Sequence, residues 1–347
     1  MLRAAAIIMV VIYHVVQMSP HPLPALTLVT RFGQYGVDLF FVLSGWLIGG
    51  LYWDEHNRFG SVELRRFWLR RWLRTIPPYL AVLPVAWLAA WLARHEVFNL
   101  GYFVFLQNYY TEIPFYVVSW SLCIEEHFYL LMPLLLMLTF RLEAFTVNRA
   151  FSVLFVLAPA CRWLHSLDGL DPRFGFEWTA THLRMEGLLV GFWLPLIRSE
   201  SHQMWIRLNQ YAAAVVVMGL LGIVSTWMAG PICFYCFGLT ALALFWAGLL
   251  LLVVSGRFSY EALLPWVKAV ALSSYSVYLT HSLMIHIARL IIVRLPDSVW
   301  GIYFPIAFLL IAAGGSFCFF GVERPAIQLR DRWVPRRVFP KTASGVQ

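Results

Sequence analysis

Several side chains capable of acid–base chemistry stand inside apolar surroundings. His14 interrupts the apolar run from Ala4 to Met18. Asp38 lies in GVDLFFVLSGW with Ser44 six residues on, and Glu125 and Glu126 lie in SWSLCIEEHFYLL, followed by His127. Arg184 and Glu186 open THLRMEGLLVG, and His281 falls in SSYSVYLTHSLMIH. An ionisable group within such a run costs on the order of 3 kcal/mol and marks a functional site by default. A histidine beside a carboxylate is a base near neutral pH, which is what deprotonating a hydroxyl requires. The arginines can keep carboxylates ionised or bind an anionic group. Any one of these residues reads equally well as a helix-packing hydrogen bond, so the argument for a site rests on the set.

A second group is basic. In ELRRFWLRRWLRTIPPYL, Arg66, Arg70 and Arg74 recur every four residues on one helical face, with Arg71 beside them and Phe67, Trp68, Trp72 and Leu73 between. Two readings fit. The stripe could be an amphipathic helix lying on anionic lipid, or a phosphate-binding surface for a nucleotide-like donor, suited to bidentate guanidinium contacts.

The elements that hold these groups must be membrane helices. Of 347 residues, 61% are hydrophobic and 13% charged, against roughly half and a quarter in soluble domains. Unbroken apolar runs recur at about 4–18, 34–53, 76–94, 119–140, 149–166, 182–198, 209–228, 232–254, 266–287 and 299–320. They lack the two-residue alternation of barrel strands, so the expected fold is all-α and polytopic with about ten transmembrane helices. The net charge of +8 does not point to nucleic acid, because the basic residues fall between apolar runs. With the N-terminus inside, nineteen of the 26 Lys and Arg lie on the cytoplasmic side, which favours an N-in, C-in arrangement. His14 then stands eleven residues above Arg3, about 16 Å along a helix. In that frame His14, Asp38, Glu125, Arg184, Glu186 and His281 share one outer depth, while Arg3 lies at the inner mouth. The five cysteines, including the Cys233/Cys236 pair, are read as small apolar packing groups. The first run is short for a span and has no cleavage site, so either the natural start lies upstream or neighbouring helices shield it.

Arg3 and His14 with ten residues between them, GVDLFFVLSGWLI, FWLRRWLRTIPPYL, SWSLCIEEHFYLLMPLLL, RMEGLLVG, LSSYSVYLTH and a closing VERPA occur in one order along the chain. Together they resemble the acyltransferase-3 family of bacterial inner-membrane O-acyltransferases, which includes O-antigen acetylases. The resemblance implies a ten-helix acyltransferase domain over 1–325, a basic cytoplasmic tail over 326–347, and a multi-pass location in the bacterial inner membrane. It implies transfer of an acyl group, usually acetyl, from cytoplasmic acyl-CoA to a hydroxyl of a sugar or related acceptor. Acyl-CoA, a carbohydrate or lipid-linked glycan acceptor and membrane lipids are the implied partners, with no permanently bound cofactor and no metal. The family's first-helix arginine and histidine map onto Arg3 and His14, its basic motif onto Arg70, Arg71 and Arg74, and its fourth-helix glutamate onto Glu125. His127 stands where glutamine is commoner, and the chain looks like the stand-alone form without an appended esterase-like domain.

The expected catalytic set is therefore His14, Glu125 and Arg3, with His14 as general base oriented by Glu125. Arg70, Arg71 and Arg74 join Arg3 in holding the donor phosphates, and Asp38, Ser44, Arg184 and His281 position the acceptor. Direct transfer and an acyl-enzyme or acyl-lipid relay both remain open. A transporter without covalent chemistry is the main alternative, since buried charges also line transport paths, although no repeat relates the two halves. A structural partner in glycan assembly is the second.

Overall fold

The computed structural model describes residues 1–21, 23–139, 144–167, 176–256 and 265–337. Arg141, Arg173, Arg257 and Lys341, four of the residues used to orient the chain, lie outside this set, as does the expected tail from 338 onward. The described residues form helices and connecting turns, with no strand among them.

Ten long helices overlie the ten apolar runs: α1 (Leu2–Gln17), α2 (Gly36–Phe59), α3 (Leu64–Arg94), α4 (Trp120–Thr139), α5 (Ala144–Leu167), α6 (Glu186–Glu200), α7 (Ala212–Met228), α8 (Leu239–Val254), α9 (Pro265–Ile292) and α10 (Tyr303–Cys318). An amphipathic helix, α11 (Arg324–Trp333), follows α10 through a π-helical turn over Phe319–Glu323. The arginine stripe is not a separate surface helix. It is the first third of α3, which continues through Pro77, Pro78 and Pro84 as one 31-residue helix. Proline is tolerated inside membrane helices because neighbouring groups satisfy the freed carbonyls.

Six helical stretches are long and apolar enough to cross a bilayer: 24–59, 64–94, 117–137, 147–167, 231–254 and 298–333. The pair His202–Gln210 and α7, bent by 58°, would make a seventh. By this measure the described residues fall short of ten spans. α1 and α6 have only 16 and 15 residues. α9 is long enough, but Ser274, Ser276, Thr280 and His281 dilute its apolar character. Those four side chains are buried against protein, so α9 gains from neighbours what lipid would deny it. Outside, the molecule is oily: Met218, Leu309 and Phe317 are 71, 70 and 80% exposed. A water-soluble surface rarely tolerates such residues in number, and this one belongs in a bilayer. The protein is a multi-pass membrane protein.

The helices pack through a small set of neighbouring pairs. α1 lies between α2 and α9, α9 carries α10, α2 pairs with α6, and α8 joins α6 to α7. The α2–α6 seam is the closest. A Cβ on Gly45 would stand 2.2 Å from the Leu188 carbonyl oxygen, and one on Gly191 would stand 2.2 Å from that of Val42. Small residues four apart let helix backbones touch where no hydrophobic effect drives association. Gly45→Leu is accordingly expected to separate the seam and lower the yield of monodisperse protein in detergent, while Gly50→Leu, which meets open space, is not.

Candidate active site

α1, α2, α3, α4 and α9 enclose a cavity of about 50 Å³ whose walls include Arg3, Ser44, Arg71, Arg74, Glu125 and Tyr278. Glu125 is held on both oxygens: Ser44 Oγ donates to Oε1 at 2.8 Å, and an Arg71 Nη donates to Oε2 at 3.3 Å. The same Arg71 nitrogen bonds the Tyr129 hydroxyl at 2.6 Å, and its guanidinium lies 4.1 Å from the centre of that ring. Arg71 is thereby fixed by charge, hydrogen bond and ring contact at once. Next to it, Thr75 donates to the buried Glu126 at 2.9 Å.

Arg74 faces Glu323 at 4.0 Å, and Glu323 accepts from Ser276 at 2.6 Å while fully buried. Glu323 belongs to VERPA and sits in the π turn, a distortion that recurs at functional sites. Sequence reasoning quoted the motif without giving its glutamate a role. Its signal was a carboxylate closing an apolar run. Tyr129, Tyr275 and Tyr278 were missed as well, since tyrosines in membrane helices usually mark the interface.

Arg70 does not join this group. Its guanidinium turns away to Asp331 at 2.9 Å and to the Val334 carbonyl, both at the end of α11. Arg337 reaches the Ser61 carbonyl at 3.1 Å and covers the Phe59 ring at 4.3 Å. Residues 331–337, part of the expected tail, are thus tied to the α2–α3 turn and to α3. The reason is helical arithmetic. Residues 70 and 71 differ by about 100° around the axis, so one faces the bundle while the other faces α11. Arg70 therefore leaves the donor set expected of it. If the cavity binds an anionic donor, Arg71→Gln and Arg74→Gln should each raise the apparent KM for acyl-CoA about tenfold or more, while Arg70→Gln should change it less than threefold. Steady-state kinetics with varied acyl-CoA would check this, and equal effects at all three positions would favour the lipid-surface reading of the stripe.

The expected His14–Glu125 pair is absent. His14 Nδ1 bonds the Val10 carbonyl at 2.9 Å, one turn back in α1. Its ring stands 5.0 Å from that of His281, and Glu125 is committed to Ser44 and Arg71. The shared outer depth therefore fails for Glu125, which lies with Arg3 at the basic end. Ser44, expected to hold the acceptor, instead orients Glu125. His281 is fully buried, and its Nδ1 lies 2.6 Å from the Tyr278 carbonyl. Tyr278 lines the cavity, its ring stands 5.5 Å from that of His281, and its hydroxyl bonds Ser121 at 2.6 Å, while neither histidine lines the cavity.

Asp38 and Arg184 form a buried ion pair at 2.9 Å, with the guanidinium 5.3 Å from the Trp120 ring and 5.7 Å from that of Trp178. They neutralise one another between α2 and the start of α6 and do not line the cavity. Glu186 pairs with Arg162 on α5, the largest fully buried side chain among the described residues, which also bonds the carbonyls of Leu183 and Cys236 and the Thr240 hydroxyl. The sequence does not single out Arg162. Its position deep among three helices is visible only in the fold. His127 bonds Thr181 at 2.7 Å, away from the cavity.

The helix bundle thus holds a basic cavity with Tyr278 in its wall, and Tyr278 in turn touches the His281–His14 pair. Residues 1–321 match the acyltransferase domain family known as acyltransferase-3, and the chain belongs to that family. It is 31% identical over 217 residues to the O-acetyltransferase OatA of Staphylococcus aureus strain NCTC 8325 / PS 47, a match that covers 56% of this chain and 34% of that protein. It is 29% identical over the same length and shares to a putative O-acetyltransferase of Staphylococcus aureus strain COL. The match spans about a third of the length of these curated relatives. No solved structure matches.

Proposed function

We propose that this protein is a membrane O-acyltransferase that moves an acyl group, acetyl in the simplest case, from cytoplasmic acyl-CoA to a hydroxyl of a carbohydrate acceptor in the bacterial inner membrane. The observation that carries this reading is the cavity lined by Arg3, Arg71, Arg74 and Tyr278, with the Tyr278 ring 5.5 Å from that of His281, which stands 5.0 Å from that of His14. Guanidinium groups suit the phosphates of a nucleotide donor. A space of about 50 Å³ is too small for a whole CoA. It suits a slim thioester arm passing between the helices, with the nucleotide held outside the mouth.

In the chemical step, the acceptor hydroxyl gives its proton to Nε2 of His14. Its oxygen attacks the thioester carbonyl carbon, the C–S bond breaks, and the CoA sulfur leaves with the electron pair. The proton then passes from His14 to that thiolate, giving ester and free CoA. His14 Nδ1 must be the protonated nitrogen in the neutral ring, because a carbonyl can only accept, and this leaves Nε2 as the base. Glu125 supports Arg71 and Ser44 at the donor end, an electrostatic role in place of the tautomer-fixing role expected from sequence.

Purified protein incubated with labelled acetyl-CoA and a membrane glycan extract should release CoA and label the glycan. A transporter, or a structural partner in assembly, would release none. Cysteine labelling in whole cells tests the orientation: residues near Arg66 should be reachable only from the cytoplasm, and those from 23 to 31 only from outside. The reverse pattern would put the basic end on the wrong side for a cytoplasmic donor.

A further inference from the structure

A second hollow, of about 680 Å³, opens on the flank of the bundle and has no part in acyl transfer. One wall is α5 from Val156 to Trp163, and the other is the α7–α8 hairpin, with α7 contributing Val215 to Gly222. The hairpin is shut tight: a Cβ on Gly219 would stand 2.7 Å from the Phe245 backbone, and one on Gly222 2.9 Å from the Ala241 side chain. α5 leans instead on α6 and on the π-helical turn over Phe234–Gly238 that leads into α8, where Arg162 holds the Cys236 carbonyl. A groove is left between α5 and the hairpin. Among the described residues that line it none is charged, and Thr240 supplies the one hydroxyl. That hydroxyl is already spent, donating to Glu186 at 2.8 Å and accepting from Arg162 at 2.8 Å. The buried Arg162–Glu186 brace therefore lies directly behind the groove. Water needs two to four polar partners to settle in such a space, and the lining side chains offer it none that is free.

We propose that this groove is a binding site for the hydrocarbon tail of a bilayer phospholipid. The groove opens sideways onto the surface that faces lipid, where Val156, Trp163 and Met218 are 61, 49 and 71% exposed. Left empty, its walls would lose their dispersion contacts outright, so hydrocarbon must fill it. A stretch of seven residues on α5 or α7 is about 10 Å along the axis. That is most of one leaflet's hydrocarbon but only a third of the ~30 Å of a spanning helix, so a lipid tail fits the site better than a partner helix does. The tail of a polyprenyl diphosphate would fit as well, yet its head would find no cation in the lining, whereas a zwitterionic phospholipid asks for none. Seated there, the tail completes the apolar cover over Thr240 and shields the Arg162–Glu186 pair from the flank. The site is independent of the acyl-transfer reading.

The test places the full chain in phosphatidylcholine vesicles that contain a little phosphatidylcholine with a diazirine in one acyl chain. After irradiation, peptide adducts are measured by mass spectrometry. Adducts at Met218 and Trp163 are expected to exceed severalfold those at Leu309 and Phe317 of α10, which are 70 and 80% exposed but line no groove. Ala160→Trp, which fills the groove from the α5 wall, should bring the excess down to the α10 level. Val153→Trp, on the same helix but outside the lining, should leave it unchanged. A second readout is thermal unfolding in detergent. Lipid-stripped wild-type protein should gain several degrees, saturably, when phosphatidylcholine is returned, as for any ligand that binds only the folded state. Ala160→Trp should lose that gain, and Val215→Trp, which fills the groove from α7, serves if Ala160→Trp does not fold. Equal adduct yields on the groove and on α10, or a lipid-dependent gain that survives filling of the groove, would overturn the proposal. So would adducts abolished by a trace of polyprenyl diphosphate, which would give the site to a lipid-linked ligand. Disulfide dimers formed by Met218→Cys protein and not by Leu309→Cys protein would give it to a second copy of the chain.

Discussion

Replacing His14 by alanine is expected to lower acyl transfer by about 10²–10⁴, the usual worth of a positioned general base, with binding of acyl-CoA retained. The arginines that line the donor cavity are contributed by α3 and by the first turn of α1, and the variant touches neither. The ring also makes no side-chain hydrogen bond whose loss would unfold the bundle, since its one bond is to Val10 in its own helix. Transfer should be followed as labelled product, and donor binding as equilibrium binding of a non-hydrolysable acyl-CoA analogue. Glu125→Gln should act differently, through KM for the donor, because Glu125 balances Arg71. The double variant should show close to the product of the two single effects, as the residues share no partner. Marked non-additivity would restore the direct His14–Glu125 pairing suggested by sequence. Near-normal transfer by a well-folded His14→Ala protein would remove His14 from the chemistry altogether.

The largest effect on stability is expected at Arg162. Its guanidinium is fully buried and ties α5 to Glu186 on α6, to Thr240 on α8, and to two carbonyls that helix geometry leaves short of donors. Removing one partner of such a pair leaves the other charge buried and bare, at a cost of about 3–5 kcal/mol. Arg162→Met should therefore lower the unfolding free energy in detergent by about that amount. Arg162→Met with Glu186→Leu should recover much of the loss, since an apolar pair strands no charge. Turnover per folded molecule should be near normal in both, because neither residue reaches the cavity. Full stability with lost turnover in Arg162→Met would reassign this brace to the mechanism.

Much was legible in the chain because lipid is a severe solvent. It forces apolar residues into unbroken runs, and each of the ten runs falls on a helix, although α3 starts twelve residues before its run because the arginine stripe is part of it. The same severity makes each ionisable side chain in a run conspicuous, so His14, Asp38, Glu125, Arg184, Glu186 and His281 could be singled out without a structure. It also made them look alike. Sequence gives the height of a residue along its own helix and little about the direction it faces or how its helix is shifted against the next. Asp38 and Arg184 turned out to cancel one another, Glu186 to cancel Arg162, and Glu125 to serve Arg71, while His14 was left facing His281. Arg70 and Arg71 show the limit most plainly: adjacent in the chain and identical in type, they part at α3 by about 100°, one toward α11 and one into the cavity. Residue type and spacing determined that this is a membrane helix bundle with buried chemistry. Which charges neutralise each other and which remain free to react depends on the rotation and offset of packed helices, and only the tertiary structure decides that.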